Sequence, residues 1–78
     1  MNIQEASKYS FKNKDSIEKS TTCSCYYCIS SFKKEEIQQW TDQGQTAICP
    51  LCGIDSVLGD IVLPFEETTF KKLKEYWF

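Results

Sequence analysis

The sequence predicts a small α+β domain of the zinc-ribbon type, or a treble-clef-like variant of it. Two Cys-x-x-Cys pairs, at residues 25–28 and 49–52, have the spacing of a four-cysteine zinc site. The chain has 78 residues. At this size a hydrophobic core alone contributes only about 3–5 kcal/mol to the free energy of unfolding, so the fold needs additional stabilisation from a metal ion or from disulfides. We therefore expect two cysteine knuckles, a short antiparallel sheet and two helices.

The two cysteine pairs predict one structural zinc ion per chain. The predicted ligands are Cys25, Cys28, Cys49 and Cys52. The chain has no histidine, and structural zinc is held by four ligands in a closed tetrahedron with no open position. In the second pair, Pro50 presets the turn and Gly53 can adopt the positive φ that follows the last thiolate.

The cellular compartment follows from the first residues and from the cysteines. Residues 1–22 are polar and contain no apolar run that resembles a signal peptide or a membrane span. Cysteines stay reduced in the cytoplasm, where paired thiols bind metal. We therefore expect a cytoplasmic protein that does not contact a membrane.

The distribution of charge bears on the choice of partner. The net charge is −2 and every cation is a lysine. Residues 23–69 hold two lysines and seven acidic residues, whereas residues 70–78 hold three lysines and one acidic residue. A zinc ion bound by four thiolates adds a charge of about −2 to that of the neutral thiols. An acidic chain without arginine makes nucleic acid a less favoured partner than a protein.

The first part of the chain reads as a partly ordered arm. We expect this arm to span residues 1–22 and a single zinc-binding domain to span residues 23–78. Tyr9 and Phe11 alternate with serine and suggest a short strand or individual docking contacts. Residues 13–20 suggest a turn or a short helix, capped by Asn13 or Asp15 and anchored by Ile17.

A helix is predicted over residues 33–43, after Phe32. Ile37 and Trp40 are three residues apart and would form one narrow apolar face, while acidic and amide side chains cover the rest. Gly44 follows at the position favoured for helix termination. Residues 45–49 then form a candidate strand that leads into the second knuckle.

The last third of the chain predicts a hairpin and a helix. Residues 57–58 and 61–63 read as two strands joined by the Gly59-Asp60 turn. A final helix begins at Glu66 or Thr68, and its apolar residues recur at the spacing of one helix face. Those residues are Phe70, Leu73 and Trp77.

Cys23 is the fifth cysteine, and its role stays open between three possibilities. It can be a spare thiol, an alternative ligand that competes with Cys25, or a redox-responsive thiol that releases the metal. A neighbouring anionic zinc–thiolate centre raises the pKa of a thiol, which argues against high reactivity.

The sequence gives little support for catalysis. Histidine, the commonest general base, is absent, and the chain has neither a nucleophile elbow nor a glycine-rich phosphate loop. We therefore expect no enzyme activity and no catalytic residues.

The Cys-Pro-Leu-Cys-Gly knuckle is similar to the second knuckle of rubredoxins, so an iron electron-transfer protein is one alternative. The first knuckle departs from that family at Ile29, where rubredoxins have glycine.

Several stretches together resemble a known family. They are Cys23-Ser-Cys25-Tyr-Tyr-Cys28, Trp40, Thr46-Ala47, Cys49-Pro-Leu-Cys-Gly-Ile-Asp-Ser-Val57 and Tyr76-Trp77-Phe78. The chain resembles small bacterial zinc-ribbon proteins of the Cys-Pro-x-Cys-Gly type that are labelled only "cytoplasmic protein". It departs from them at Ser24, where glycine is typical, and at Lys33-Lys34, where a cap residue and proline usually stand. The resemblance implies a bacterial or phage-borne intracellular protein and supplies no activity.

These observations lead to one functional expectation and two alternatives. We expect a non-catalytic, zinc-stabilised protein-interaction module of the adaptor, immunity or inhibitor type. It would contact its partner through its acidic face or its aromatic C-terminal end. The alternatives are a nucleic-acid-binding zinc ribbon and the rubredoxin-like protein.

Overall fold

Short strands and helices succeed one another in the computed structural model, which describes residues 2–78. The chain begins with a 3-10 helix at Ile3–Glu5, and a second 3-10 helix lies at Lys34–Glu36. The strands are β1 (Thr22–Cys25), β2 (Ser30–Lys33), β3 (Trp40–Thr41), β4 (Thr46–Ala47) and β5 (Val57–Gly59). The α-helices are α1 (Ala6–Ser10), α2 (Lys14–Lys19) and α3 (Glu67–Trp77). None of these helices is long and apolar enough to cross a bilayer. The expected α+β class is confirmed, because the chain contains both α-helices and short antiparallel strands.

A three-stranded antiparallel sheet, in the order β2-β1-β5, carries Cys25, and the turn between β1 and β2 carries Cys28. Cys25 lies opposite Ser30 on one side and Val57 on the other. Because side chains alternate along a strand, Cys23 and Cys25 point to one face of the sheet and Ser24 points to the other. All three are buried, so both faces of this small sheet are covered.

Each face of the sheet has its own apolar cluster. The cysteine cluster comprises Ile17, Cys23, Cys25, Phe32, Ile37, Ala47, Cys49 and Val57. The helix cluster, on the opposite face, comprises Ala6, Tyr26, Leu58, Phe70 and Leu73. β5 serves both clusters, because its neighbouring residues Val57 and Leu58 point to opposite faces. The sheet thus separates the cysteines from the packing surface of α1 and α3.

The first residues of the chain are tied to this body by hydrogen bonds. Asn13 is buried, and its amide nitrogen donates to the carbonyl of Val57 (2.8 Å) while its oxygen accepts from the N–H of Ala47 (3.0 Å). The hydroxyls of Ser10 and Tyr26 lie 3.0 Å apart. The predicted short helix is confirmed as α2, with Ile17 buried. Its expected side-chain cap is wrong, because the Asn13 side chain joins two strands instead.

Two further expectations for the first 22 residues have different outcomes. Tyr9 does not lie in a strand, because residues 6–10 form α1 and Phe11 follows that helix. The boundary between an arm at residues 1–22 and a domain at residues 23–78 stays a prediction, and Met1 lies outside the described residues.

The helix predicted over residues 33–43 is wrong. Lys33 ends β2, a single 3-10 turn follows, and Ile37 has an extended backbone (φ −74°, ψ 119°). β3 and β4 then form a separate two-stranded sheet, joined by a turn that contains Gly44. Two apolar residues three apart are too few to hold a helix against a core. Ile37 and Trp40 reach the cysteine cluster from an irregular backbone just as well.

The predicted hairpin at residues 57–63 is also wrong. β5 pairs with β1, and residues 60–62 form turns in which the N–H groups of Val62 and Leu63 donate to the carbonyl of Gly59. The carboxylate of Asp60 accepts from the backbone N–H groups of residues 21 and 22 at 3.2 and 3.1 Å, which fixes the chain across the start of β1. β5 therefore pairs with β1, which is distant in the sequence, and not with the adjacent residues 61–63.

The final helix is confirmed. Glu66 is the N-cap residue, and its carboxylate accepts from the N–H of Thr68 at 2.7 Å. Phe70 and Leu73 are buried in the helix cluster. The indole N–H of Trp77 donates to the carbonyl of Ile3 at 2.8 Å, so the end of α3 is joined to the start of the chain.

Candidate metal centre

The structure brings the four predicted ligands together. The Sγ atoms of Cys25, Cys28, Cys49 and Cys52 all lie within 4.8 Å of one another. The first pair begins at the last residue of β1 and continues into the turn before β2. The second pair lies in the segment between β4 and β5, so the sheet and this segment meet at the cluster.

Two of the six sulfur–sulfur distances match those around a tetrahedral metal ion, and the others are no longer than 4.8 Å. The Sγ atoms of Cys25 and Cys52 are 3.7 Å apart, and those of Cys28 and Cys49 are also 3.7 Å apart. A zinc ion with four sulfurs at about 2.3 Å requires sulfur–sulfur edges of about 3.8 Å. None of the five cysteines forms a disulfide. The cluster is therefore a set of four thiols that could hold one metal ion.

Both cysteine pairs adopt the same local conformation. In the first pair, the N–H of Tyr27 donates to Sγ of Cys25 at 3.3 Å, and in the second the N–H of Leu51 donates to Sγ of Cys49 at 3.4 Å. The N–H of the residue after each pair donates to the carbonyl of the first cysteine, at 2.9 and 3.0 Å. Donors aimed at sulfur stabilise its anionic form, which is the form that binds metal.

The residue after each pair has a left-handed backbone. Gly53 has φ +79°, as the sequence predicts, and Ile29 has φ +55°. This conformation is free of steric cost for glycine, but for another L-residue it costs about 1–2 kcal/mol. Ile29 is partly buried against the helix cluster, and this packing offsets the strain. The two knuckles thus have the same geometry, but only the first has a steric cost for its left-handed residue.

Without a cation, the four thiols cannot all ionise in this environment. Burial raises the pKa of Cys25, although hydrogen bonding to Ser56 and to two backbone N–H groups opposes that effect. Burial also raises the pKa of Cys52. Burial alone would raise the pKa of Cys28, but its hydrogen bond with Ser30 and those with neighbouring thiols outweigh this and lower it. Close thiolates repel one another, so full ionisation requires a positive ion among them.

Ser56 is a residue of the centre that sequence analysis missed. Its hydroxyl lies 3.0 Å from Sγ of Cys25, its carbonyl accepts from the N–H of Tyr26, and it is almost fully buried. A hydroxyl at this distance donates to a metal-bound thiolate and fixes its orientation. The only sequence signal was its place in the Cys-Gly-Ile-Asp-Ser stretch, which predicted no role.

Cys23 lies outside the group of four. It points to the same face of the sheet as Cys25, opposite Phe32 and Gly59, and has no exposed surface. Burial, with the Asp60 carboxylate second, raises the pKa of its thiol to about 11. A buried thiol that remains protonated at neutral pH is a poor nucleophile. Of the three possibilities for Cys23, this environment favours the spare thiol.

The donor set determines what the centre can do. Four thiolates complete a tetrahedron and leave no position for water or substrate, which is the arrangement of a structural site. Cys25 and Cys49 are buried, whereas Cys28 and Cys52 are half-buried at the surface.

Comparison with models of protein families, with curated proteins and with solved structures found no match to this chain. The resemblance to the "cytoplasmic protein" family therefore stays a prediction.

Proposed function

We propose that the centre holds one structural zinc ion and that the fold is a zinc ribbon. Two sulfur–sulfur distances of 3.7 Å support a metal ion bound by four thiolates, and the closed thiolate set supports a structural role. The ribbon is favoured over a treble-clef-like fold, because the second cysteine pair lies on a knuckle between two strands and not at the start of a helix. An iron site of the rubredoxin type remains the alternative metal.

The metal is identified by mass and colour. A sample purified in air without chelator should be colourless and contain one zinc ion per chain by native mass spectrometry. A red sample that contains iron and absorbs in the visible range would contradict the zinc assignment and favour electron transfer.

We further propose a non-catalytic, intracellular protein-interaction module of the adaptor, immunity or inhibitor type. The observation that supports it is an exposed aromatic surface, here called the aromatic end. It consists of Tyr27 and Phe78, whose rings are in contact, and of Phe11, which lines the same cavity as Phe78. Phe78 is 59 % exposed, and its ring packs edge-on against Tyr27 with the ring centres 4.8 Å apart. Exposed aromatic side chains held in fixed positions are typical of protein interfaces.

The other expected surface, an acidic face, receives less support. The sequence places this face on the helix predicted over residues 33–43, and that helix does not form. The carboxylate of Glu36 accepts from the N–H of Lys33 at 2.8 Å, and that of Asp42 accepts from the hydroxyl of Thr46 at 2.8 Å. These two carboxylates serve local structure, so we assign the partner contact to the aromatic end.

The proposal is tested by affinity capture with matched variants. The metal-loaded chain should retain a protein partner in stoichiometric amount from cells that encode it, and Phe78→Ala should lose that partner. Ile61→Ala is the control, because Ile61 is a similarly exposed apolar residue (54 %) outside the aromatic end. Equal recovery with Phe78→Ala and with the control, or no stoichiometric partner at all, would contradict the proposal.

Nucleic-acid binding is the second candidate, and three contacts favour it. The ammonium groups of Lys8, Lys12 and Lys74 lie 5.9, 5.3 and 5.1 Å from the ring centres of Tyr9, Phe11 and Tyr27, respectively. Lysines interleaved with aromatic rings suit single strands, which bind by stacking and phosphate neutralisation. The net charge of −2 opposes it. A gel shift with single-stranded RNA or DNA that weakens steeply with salt would favour this candidate.

A further inference from the structure

A cavity of about 500 Å³ opens between α1, the end of α3 and the segment before β5. Its aromatic walls are Phe11, Tyr26, Trp77 and Phe78. This volume lies within the range of about 300–1,000 Å³ that is usual for small-molecule sites. Aromatic walls of this kind bind flat apolar groups by stacking and by excluding water.

The walls of the cavity are held in place by contacts elsewhere in the molecule. Trp77 is fixed by its hydrogen bond to the carbonyl of Ile3, and Phe78 by its ring contacts with Tyr26 and Tyr27. Ser10 and Tyr26 hydrogen-bond to each other. The polar atoms of Ser10 and Tyr26 therefore already have partners, and the cavity is formed before any ligand enters.

Two charged side chains in the lining, at the exposed residues Lys8 and Asp55, form no hydrogen bond within residues 2–78, although the Lys8 ammonium lies 5.9 Å from the ring centre of Tyr9. Lys8 and Asp55 both line the cavity. Neither belongs to an ion pair among residues 2–78, where the ion pair found joins Lys71 to Glu67. A cation and an anion that both line one aromatic cavity favour a ligand that carries both charges. A polyanion is disfavoured, because the Asp55 carboxylate repels it.

We propose that this cavity binds a small zwitterion with an aromatic ring, of the aromatic α-amino acid class. The ring lies among the aromatic walls, the ligand ammonium faces Asp55 and the ligand carboxylate faces Lys8. This small-molecule site shares Phe11 and Phe78 with the aromatic end, and it does not depend on the identity of the metal.

L-phenylalanine is the probe, and NMR of the ¹⁵N-labelled, metal-loaded full chain is the measurement. At the ligand efficiency of drug-sized molecules, about twelve non-hydrogen atoms correspond to a dissociation constant on the order of 2 mM. The backbone amides of Tyr26 and Ser56 and the indole N–H of Trp77 should shift with a saturating dependence on concentration. Absence of saturating shifts at these positions up to about tenfold that concentration would overturn the proposal.

Analogues and variants test the two charge contacts separately. N-acetyl-L-phenylalanine lacks the ammonium and L-phenylalaninamide lacks the carboxylate, so each should bind about two- to fivefold more weakly, as expected for exposed charge pairs. Asp55→Asn should lower affinity for L-phenylalanine by a similar factor without lowering that for the N-acetyl analogue. Lys8→Met should likewise lower affinity for L-phenylalanine without lowering that for L-phenylalaninamide.

Matched controls and one competing ligand complete the test. Asp15→Asn and Lys19→Met neutralise exposed charges on α2, outside the cavity, and should leave affinity unchanged. Adenosine monophosphate should bind more weakly than L-phenylalanine. Tighter binding of the nucleotide at the same amides, or equal affinities for L-phenylalanine and both analogues, would overturn the assignment to amino acids.

Discussion

Removal of the metal should unfold this protein. Complete chelation at pH 7 should abolish the far-ultraviolet circular dichroism signal of α1 and α3 together with the signal of the sheet. The reason is geometric, since the four cysteines join the end of β1 to the segment between β4 and β5, and the apolar core around them is small. Replacing one ligand, as in Cys25→Ser, should have a similar effect.

The magnitude follows from the distances and from the usual stability of domains. Two thiolates 3.7 Å apart repel each other by about 4.5 kcal/mol at an effective dielectric constant of 20. The apo-protein must therefore keep its thiols protonated or separate them. Binding of structural zinc supplies about 10–16 kcal/mol at pH 7. A whole domain is stable by only about 5–15 kcal/mol, so we expect the proposed zinc ion to decide whether the chain folds.

Thermal and denaturant melts of the holo and chelated forms provide the assay. Cys23→Ser is the matched control for Cys25→Ser, because both residues lie on the same face of β1 and both are buried, but only Cys25 belongs to the group of four. The control should bind one metal ion and melt cooperatively. A native-like spectrum and a cooperative melt after complete chelation would refute the reasoning.

Three further predictions concern single residues. Asn13→Ala should lower the free energy of unfolding by about 2–4 kcal/mol, because two buried backbone groups lose their partners, whereas Asn2→Ala, at an exposed cap, should change it little; equal melting of the two variants would contradict this. Cys23→Ser should leave peroxide-driven zinc release unchanged, as measured with a chromogenic chelator, because the Cys23 thiol is buried and has a raised pKa; slower release would instead support a redox role. Hydrogen bonds from Thr69 and Thr68 lower the pKa of Glu66 from its ordinary value of 4.5. Its contribution to stability is therefore present above pH 4.5 and lost as the pH falls through the lower folded value. Glu66→Gln should then melt below Glu67→Gln at pH 7, and an NMR titration that gives Glu66 a pKa above 4.5 would exclude this explanation.

The parts of the fold that the sequence predicts correctly are those set by local spacing. Each cysteine pair forms its knuckle within five residues, and the second carries Gly53 where a left-handed backbone is needed. The final helix has three apolar residues on one face and an N-cap at Glu66, so its pattern is redundant. Local physical rules suffice for such elements.

The parts that could not be predicted depend on distant partners. β5 has a plausible local partner in residues 61–63, yet it pairs with β1, more than thirty residues earlier in the sequence. Asn13 reads as a helix cap, but its two hydrogen bonds reach residues 34 and 44 positions away. No local pattern contains this information, because it depends on contacts between segments that are distant in the sequence. The candidate centre was therefore easier to predict from sequence than the fold around it.

The two knuckles also have a consequence for the time course of folding. The second knuckle, with Pro50 and Gly53, reaches its conformation at little steric cost. In the first knuckle, the conformational energy of the left-handed Ile29 backbone is offset only when the Ile29 side chain packs against the helix cluster. We therefore expect an incoming metal ion to be captured first by the second cysteine pair. Closure of the first pair then coincides with the docking of α3, so the last two metal–sulfur bonds and the packing of the far side of the sheet form in one kinetic step.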